Sequence, residues 1–132
     1  MAHVISFTTA RFDVSKETPN PTNPIAGQSV LNWLREALGK AENQSTEPDT
    51  EDWGWYMDVR SAGSVYLVGA SADATDSGPD IEWTVQVHKH RTLADKLLGK
   101  NKMAADDPLS AQIESIIRAD ATFKDIAVER NA

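Results

Sequence analysis

The chain is 132 residues long, 40% hydrophobic and 25% charged, with no cysteine and a formal net charge of −7. A domain of this length buries roughly two-thirds of its unfolded surface, so it needs no disulfide or metal staple, and without cysteine it has no thiolate nucleophile and no cysteine-ligated zinc. No apolar run approaches the roughly 18 residues of a bilayer span, which excludes a transmembrane segment, and the negative balance argues against general nucleic-acid binding.

One domain over 1–132 is expected. Residues 4–12 read as a first strand, dense in β-branched and aromatic side chains from Val4 to Phe12. Thr18-Pro19-Asn20-Pro21-Thr22-Asn23-Pro24 forbids regular structure, because proline fixes its own backbone and restricts the residue before it. Asn23 as N-cap and Pro24 at the first helical position predict a helix over about 24–38, with Val30, Leu31, Trp33, Leu34, Ala37 and Leu38 on one apolar face and Gly39 as its stop. Residues 40–52 are polar and acidic and read as a loop. Gly54 to Arg60 and Ser64 to Ser71 read as an antiparallel hairpin around Ser61-Ala62-Gly63.

A second loop is expected over Asp73 to Pro79. From Asp80 to His90, Ile81, Trp83, Val85 and Val87 alternate with Glu82, Thr84, Gln86 and His88, so one face is buried and the other wet. Thr92-Leu93-Ala94-Asp95 forms a capping box that opens a short helix ended by Gly99, and Asp107-Pro108 opens another carrying Leu109, Ile113, Ile116 and Ile117. Phe123 to Val128 reads as a last strand. Strands in succession with helices set apart predict an α+β fold: a mainly antiparallel sheet of four to five strands with two to three helices packed on one face. Mobile segments are expected at 14–22, 40–50 and 72–79.

Catalytic templates fail on specific residues. The three histidines, His3, His88 and His90, do not form H-E-x-x-H. Gly99-Lys100 would end a phosphate loop, but Ala94 stands at its first glycine and Asn101 follows the lysine. Gly69-Ala70-Ser71-Ala72-Asp73 starts like a nucleophile elbow and has Asp73 where the second glycine belongs. No cofactor motif is present.

Charge is unevenly spread. Residues 88–102 hold Lys89, Arg91, Lys96, Lys100 and Lys102 against Asp95, a local +4 that leaves −11 on the rest, chiefly in 42–58 and 73–82. Such asymmetry suits a basic protein partner, or a small anion held weakly at the basic edge by His88, His90, Arg91 and Lys96. On a strand His88 and His90 project from one face, too far from Glu82 to share a metal ion with it. The short helix opening at Thr92 would add partial positive charge, and anion binding should strengthen below about pH 6.5, where imidazole is protonated. Trp53 and Trp55 share one strand face with Met57 and Val59 and read as core, with Gly54 between them marking a bulge or a close backbone approach.

Asn23-Pro24-Ile25-Ala26-Gly27, Leu31-Asn32-Trp33-Leu34, Glu51-Asp52-Trp53-Gly54-Trp55-Tyr56 and Tyr66-Leu67-Val68-Gly69-Ala70 resemble segments of small uncharacterised proteins of Gram-negative bacteria. The resemblance covers about 23–99 and implies no activity. The sequence therefore predicts a non-enzymatic, acidic binding or interaction domain, with no membrane partner and, lacking an export signal, a cytoplasmic setting. The alternative is a small enzyme or ligand-binding domain recognising an anionic small molecule at the His88–Lys102 edge.

Overall fold

The structure is a computed structural model that describes residues 2–73 and 80–130. Its elements are β1 (His3–Thr9), a single 3-10 turn (Val14–Lys16), β2 (Ile25–Ala26), α1 (Gln28–Lys40), β3 (Gln44–Ser45), β4 (Asp49–Glu51), β5 (Gly54–Ser61), β6 (Ser64–Asp73), β7 (Ile81–Lys89), α2 (Leu93–Leu98), α3 (Pro108–Arg118) and β8 (Lys124–Glu129). The class is α+β, as the sequence predicts. The sheet is larger than the four to five strands expected: eight strands in the order β3-β5-β6-β7-β1-β8, with β4 also on β5 and β2 on β6. Every pairing among the described residues is antiparallel.

The extra strands are β2, β3 and β4. Each is two or three residues long and owes its existence to the neighbour it pairs with. β3 and β4 lie in the acidic segment 40–52, expected as loop, and line the edge of β5. The loop expected over Asp73 to Pro79 begins later than that limit, since Asp73, like Ala72, pairs with β2. Its residues 74–79 lie outside the described residues.

Alternation decides which side of the sheet is wet. Ile5, Phe7, Trp55, Met57, Val59, Tyr66, Val68, Ala70, Trp83, Val85 and Val87 are buried on one side. α1 closes that side with Val30, Leu31, Leu34 and Leu38, and α3 with Leu109, Ile113 and Ile117, all in one hydrophobic cluster. The alternate residues stay partly or fully exposed: Val4, Ser6 and Thr8 on β1, Tyr56 and Asp58 on β5, Leu67 on β6, Glu82, Thr84, Gln86 and His88 on β7. α1 and α3 thus cover one face of the sheet and leave the other open.

The helix starts show local and distant control side by side. α3 opens as expected, with the Asp107 carboxylate accepting from the Leu109 and Ser110 amides and Pro108 in the first turn. The same carboxylate accepts the Tyr66 hydroxyl at 2.9 Å, and the Ser110 hydroxyl pairs with His3, so the cap also ties α3 to β6 and β1. Burial pushes the Tyr66 hydroxyl pKa well up, and the bond to Asp107 adds to it. α1 starts four residues later than the expected 24, because Ile25 and Ala26 go to the sheet. Its amides are capped by Glu17, whose carboxylate accepts from the backbone of Gly27, Gln28 and Ser29 and from the Ser29 hydroxyl. Gly39 does not stop α1. The helix runs to Lys40, and the left-handed residue that follows is Glu42.

The Ala62–Gly63 turn joins β5 to β6 with both residues at positive φ, as a two-residue hairpin requires. α2 has the expected capping box and a left-handed Gly99. It buries no residue, and Leu93, Leu97 and Leu98 are 74%, 79% and 67% exposed.

Candidate functional site

The open face of the sheet carries a groove of about 800 Å³ that brings together all four residues singled out at the basic edge: His88, His90, Arg91 and Lys96. Lys102 and Met103 join them from beyond α2, and Trp53, Asp58 and Leu67 complete the opposite wall and floor. Cross-strand register explains the floor. Asp58 pairs with Leu67 and Leu67 with His88, which sets three side chains in one row across β5, β6 and β7.

Trp53 reaches this face because it is not on a strand. Glu51 pairs with Gly54, leaving Asp52 and Trp53 as a two-residue turn between β4 and β5. The expectation that Trp53 and Trp55 share one buried face is therefore corrected. Trp55 is 3% exposed in the core, while Trp53 lies on the open side. Trp53 Cη2 and Cζ3 occupy the space where a Cβ on Gly69 would stand, so glycine at 69 is what lets the indole lie down on the sheet. Gly54 does mark a close backbone approach: a Cβ there would fall 2.6 Å from the Ala70 carbonyl oxygen.

The turn carrying Trp53 is held from outside. The Asn20 amide donates to the Glu51 and Gly54 carbonyls at 3.0 and 3.1 Å, and the Asn23 amide to the Asp52 carbonyl at 2.7 Å. Asn23, expected as a helix cap, is thus a strut between the proline-rich loop and this turn. Such bonds fix a loop before any ligand arrives.

At the other end, the cations differ in freedom. Arg91 donates to the Lys100 and Asp95 carbonyls at 3.1 and 3.3 Å, so part of its guanidinium holds the α2 turn together. Lys96 and Lys102 form no ion pair among the described residues. The expected contribution of the α2 N-terminus is corrected. Thr92 and Asp95 satisfy each other through the capping box, and a helix of six residues has little dipole to offer. Hydrogen bonds, first from the Thr92 backbone and then from Asn101, hold the Asp95 carboxyl below its ordinary range.

His88 and His90 are not equivalent. β7 ends at Lys89, so His90 stands exposed at the rim, its amide donating to the Val65 carbonyl at 2.8 Å. His88 is partly buried on the floor, where its Nε2 pairs with Gln86 Oε1 at 3.1 Å. Burial lowers the His88 pKa below the ordinary imidazole value. Positive charge on His88 therefore appears at lower pH than the sequence suggests. Among the described residues no three His, Asp or Glu side chains stand close enough to hold a metal ion.

A second charged surface lies at the β3–β4 edge. Asp49, Glu51, Asp52 and Asp58 are exposed there around the partly exposed Tyr56. Asp49 first, then desolvation, Asp58 and Glu51, raise the Tyr56 hydroxyl pKa above its ordinary value. The sequence showed the acidic residues but not their convergence, which depends on the Asp49–Tyr56 register between β4 and β5.

Among the described residues no helix is long and apolar enough to cross a membrane. No protein family, curated protein or solved structure matches this chain.

Proposed function

We propose that the protein is a non-enzymatic interaction domain that binds a basic protein partner through the β4–β5 edge. The observation that carries this reading is geometric: the Asp49–Tyr56 register brings the exposed Asp49, Glu51 and Asp58 around the partly exposed Tyr56 on one hairpin. A half-buried aromatic ringed by carboxylates supplies an anchor and a charged rim, the two parts that recur in protein interfaces. The net charge of −7 assists approach of a cation-rich surface. A cytoplasmic setting and kinship with the small Gram-negative bacterial proteins it resembles belong to the same reading.

The test is an NMR titration with an arginine-rich peptide. Shifts should concentrate on 49–58, fall with added salt, and be lost in Asp49→Asn combined with Glu51→Gln. Shifts spread evenly over every carboxylate would overturn the reading.

A second reading, a ligand-binding role at the basic edge, is favoured by one observation: His88, His90, Arg91 and Lys96 line one groove with Lys102 and the distant Trp53. Its test is titration with inorganic phosphate, with shifts expected at 88–102 and none there counting against it.

A further inference from the structure

The groove on the open face has a polarity that the basic edge alone does not explain. One wall is the indole of Trp53, resting on Gly69. The floor is Leu67, beside the hydrogen-bonded Gln86 and His88 side chains. The far wall carries Lys96 and Lys102, both without an ion pair among the described residues, and the part of Arg91 not spent on α2. An inorganic anion would use only that far wall.

We propose that the groove is a binding site for a small molecule that joins a flat ring system to a phosphate or carboxylate group, with the ring against Trp53 and the anion at Lys96, Lys102 and Arg91. This rests on the ligand-binding reading of the basic edge and adds the ring to it. Gln86 lies opposite Gly69 in the register, and four residues separate it from His90, roughly 13 Å of strand. Arg91 follows His90 directly, so a nucleotide-sized molecule is long enough for its two ends to meet both walls. The volume of about 800 Å³ falls in the range of small-molecule sites.

Several features suit this ligand class. A ring stacks on an indole without needing hydrogen bonds, and a cation pair takes the anion as a point charge. His88, partly buried and paired with Gln86 Oε1, offers a ring nitrogen for hydrogen bonding on the floor. The Trp53 turn is anchored by Asn20 and Asn23, so its position does not depend on the ligand. Asp58 stands on β5 across Leu67 from His88, so it disfavours an anion on the β5 side of the floor and leaves the α2 side for it.

The experiment uses three probes on the full chain: inorganic phosphate, adenosine and adenosine 5′-monophosphate, followed by NMR and calorimetry. Stacking on one aromatic side chain is worth about ten-fold in affinity. The monophosphate should therefore bind about ten-fold more tightly than phosphate and shift both the Trp53 indole and 88–102. Trp53→Leu should erase that advantage and leave phosphate binding unchanged. Lys96→Ala with Lys102→Ala should weaken both anions about ten-fold and spare adenosine. Gly69→Ala, which pushes the indole off the sheet without touching a charge, is the second variant and should act as Trp53→Leu does. Phosphate binding at 88–102 with no gain for the monophosphate, or a gain indifferent to Trp53→Leu, would overturn the ring site while the basic edge stands. No shift at 88–102 with any anion would remove both.

Discussion

The two faces of the sheet are built from the same strands and behave as different materials. On the helix-covered side Trp83 is fully buried, with Phe12 edge-on to it and Phe7 across the β1–β7 pair. On the other side Trp53 lies over a glycine at the mouth of a groove. Both tryptophans lie against the sheet, yet one fills the core and the other stays partly exposed on the open face. The difference teaches that what a residue type contributes follows from whether a helix closes over it, and helices α1 and α3 close over one face alone.

The sharpest way to break this comparison is by truncation. Trp83→Ala should cost roughly 3–5 kcal/mol in urea unfolding, since it opens a cavity in a packed core. Trp53→Ala should cost about 1 kcal/mol, because its site is already partly open to water. Equal losses would mean the faces are not distinct.

Polar groups should divide in the same way. Tyr66→Phe removes the donor to the buried Asp107 carboxylate and should cost about 1–2 kcal/mol. His88→Ala, on the open face, should stay within about 0.5 kcal/mol. Denaturation midpoints of the two variants decide the point, and a larger loss at His88 would show that the groove floor supports the fold.

The smallest effect concerns charge at the sheet edge. The Tyr56 hydroxyl is held protonated to higher pH than an ordinary phenol, with Asp49 as the leading cause. Asp49→Asn should bring its ionisation back down toward the ordinary value, read from phenolate absorbance in an alkaline titration. Tyr66 ionises later still because of its burial, so the first phenolate to appear is that of Tyr56. An unmoved first transition would mean that the carboxylates do not act on Tyr56, and the proposed partner surface would lose its basis.

How far the sequence discloses this molecule depends on the range of the signal. Strand β7, the Ala62–Gly63 turn, the α2 capping box and the Asp107-Pro108 start of α3 are written in adjacent residues, and each forms as read. The start of α1 carries equally good local marks at Asn23 and Pro24. It fails because Ile25 and Ala26 gain more by pairing with Ala72 and Asp73, and because Glu17, ten residues away from Gly27, supplies the cap. β3 and β4 have no apolar alternation to announce them, since they pair only along the edge of β5. The basic half of the groove was legible as a charge excess in 88–102. The aromatic half was not, because a strand reading carried Trp53 to the buried side, and only the Glu51–Gly54 pairing turns it outward.

Helix α2 brings a different consequence. It buries nothing, and among the described residues it is held by its own cap, by two bonds from Arg91 to backbone carbonyls and by bonds to Asp95 from Lys100 and Asn101, just beyond it. Gly99 and Asn101 follow it in the left-handed region. Such a segment opens locally at little cost while β7 before it and α3 after it stay locked in sheet and core. Brief trypsin treatment should then cut after Lys96 or Lys100 and leave two fragments, ending near α2 and beginning near Met103, that remain together as one folded particle. The β1–β8 pairing and the burial of α3 would hold the halves without a covalent link, making 96–102 the natural place to split the chain into complementing parts.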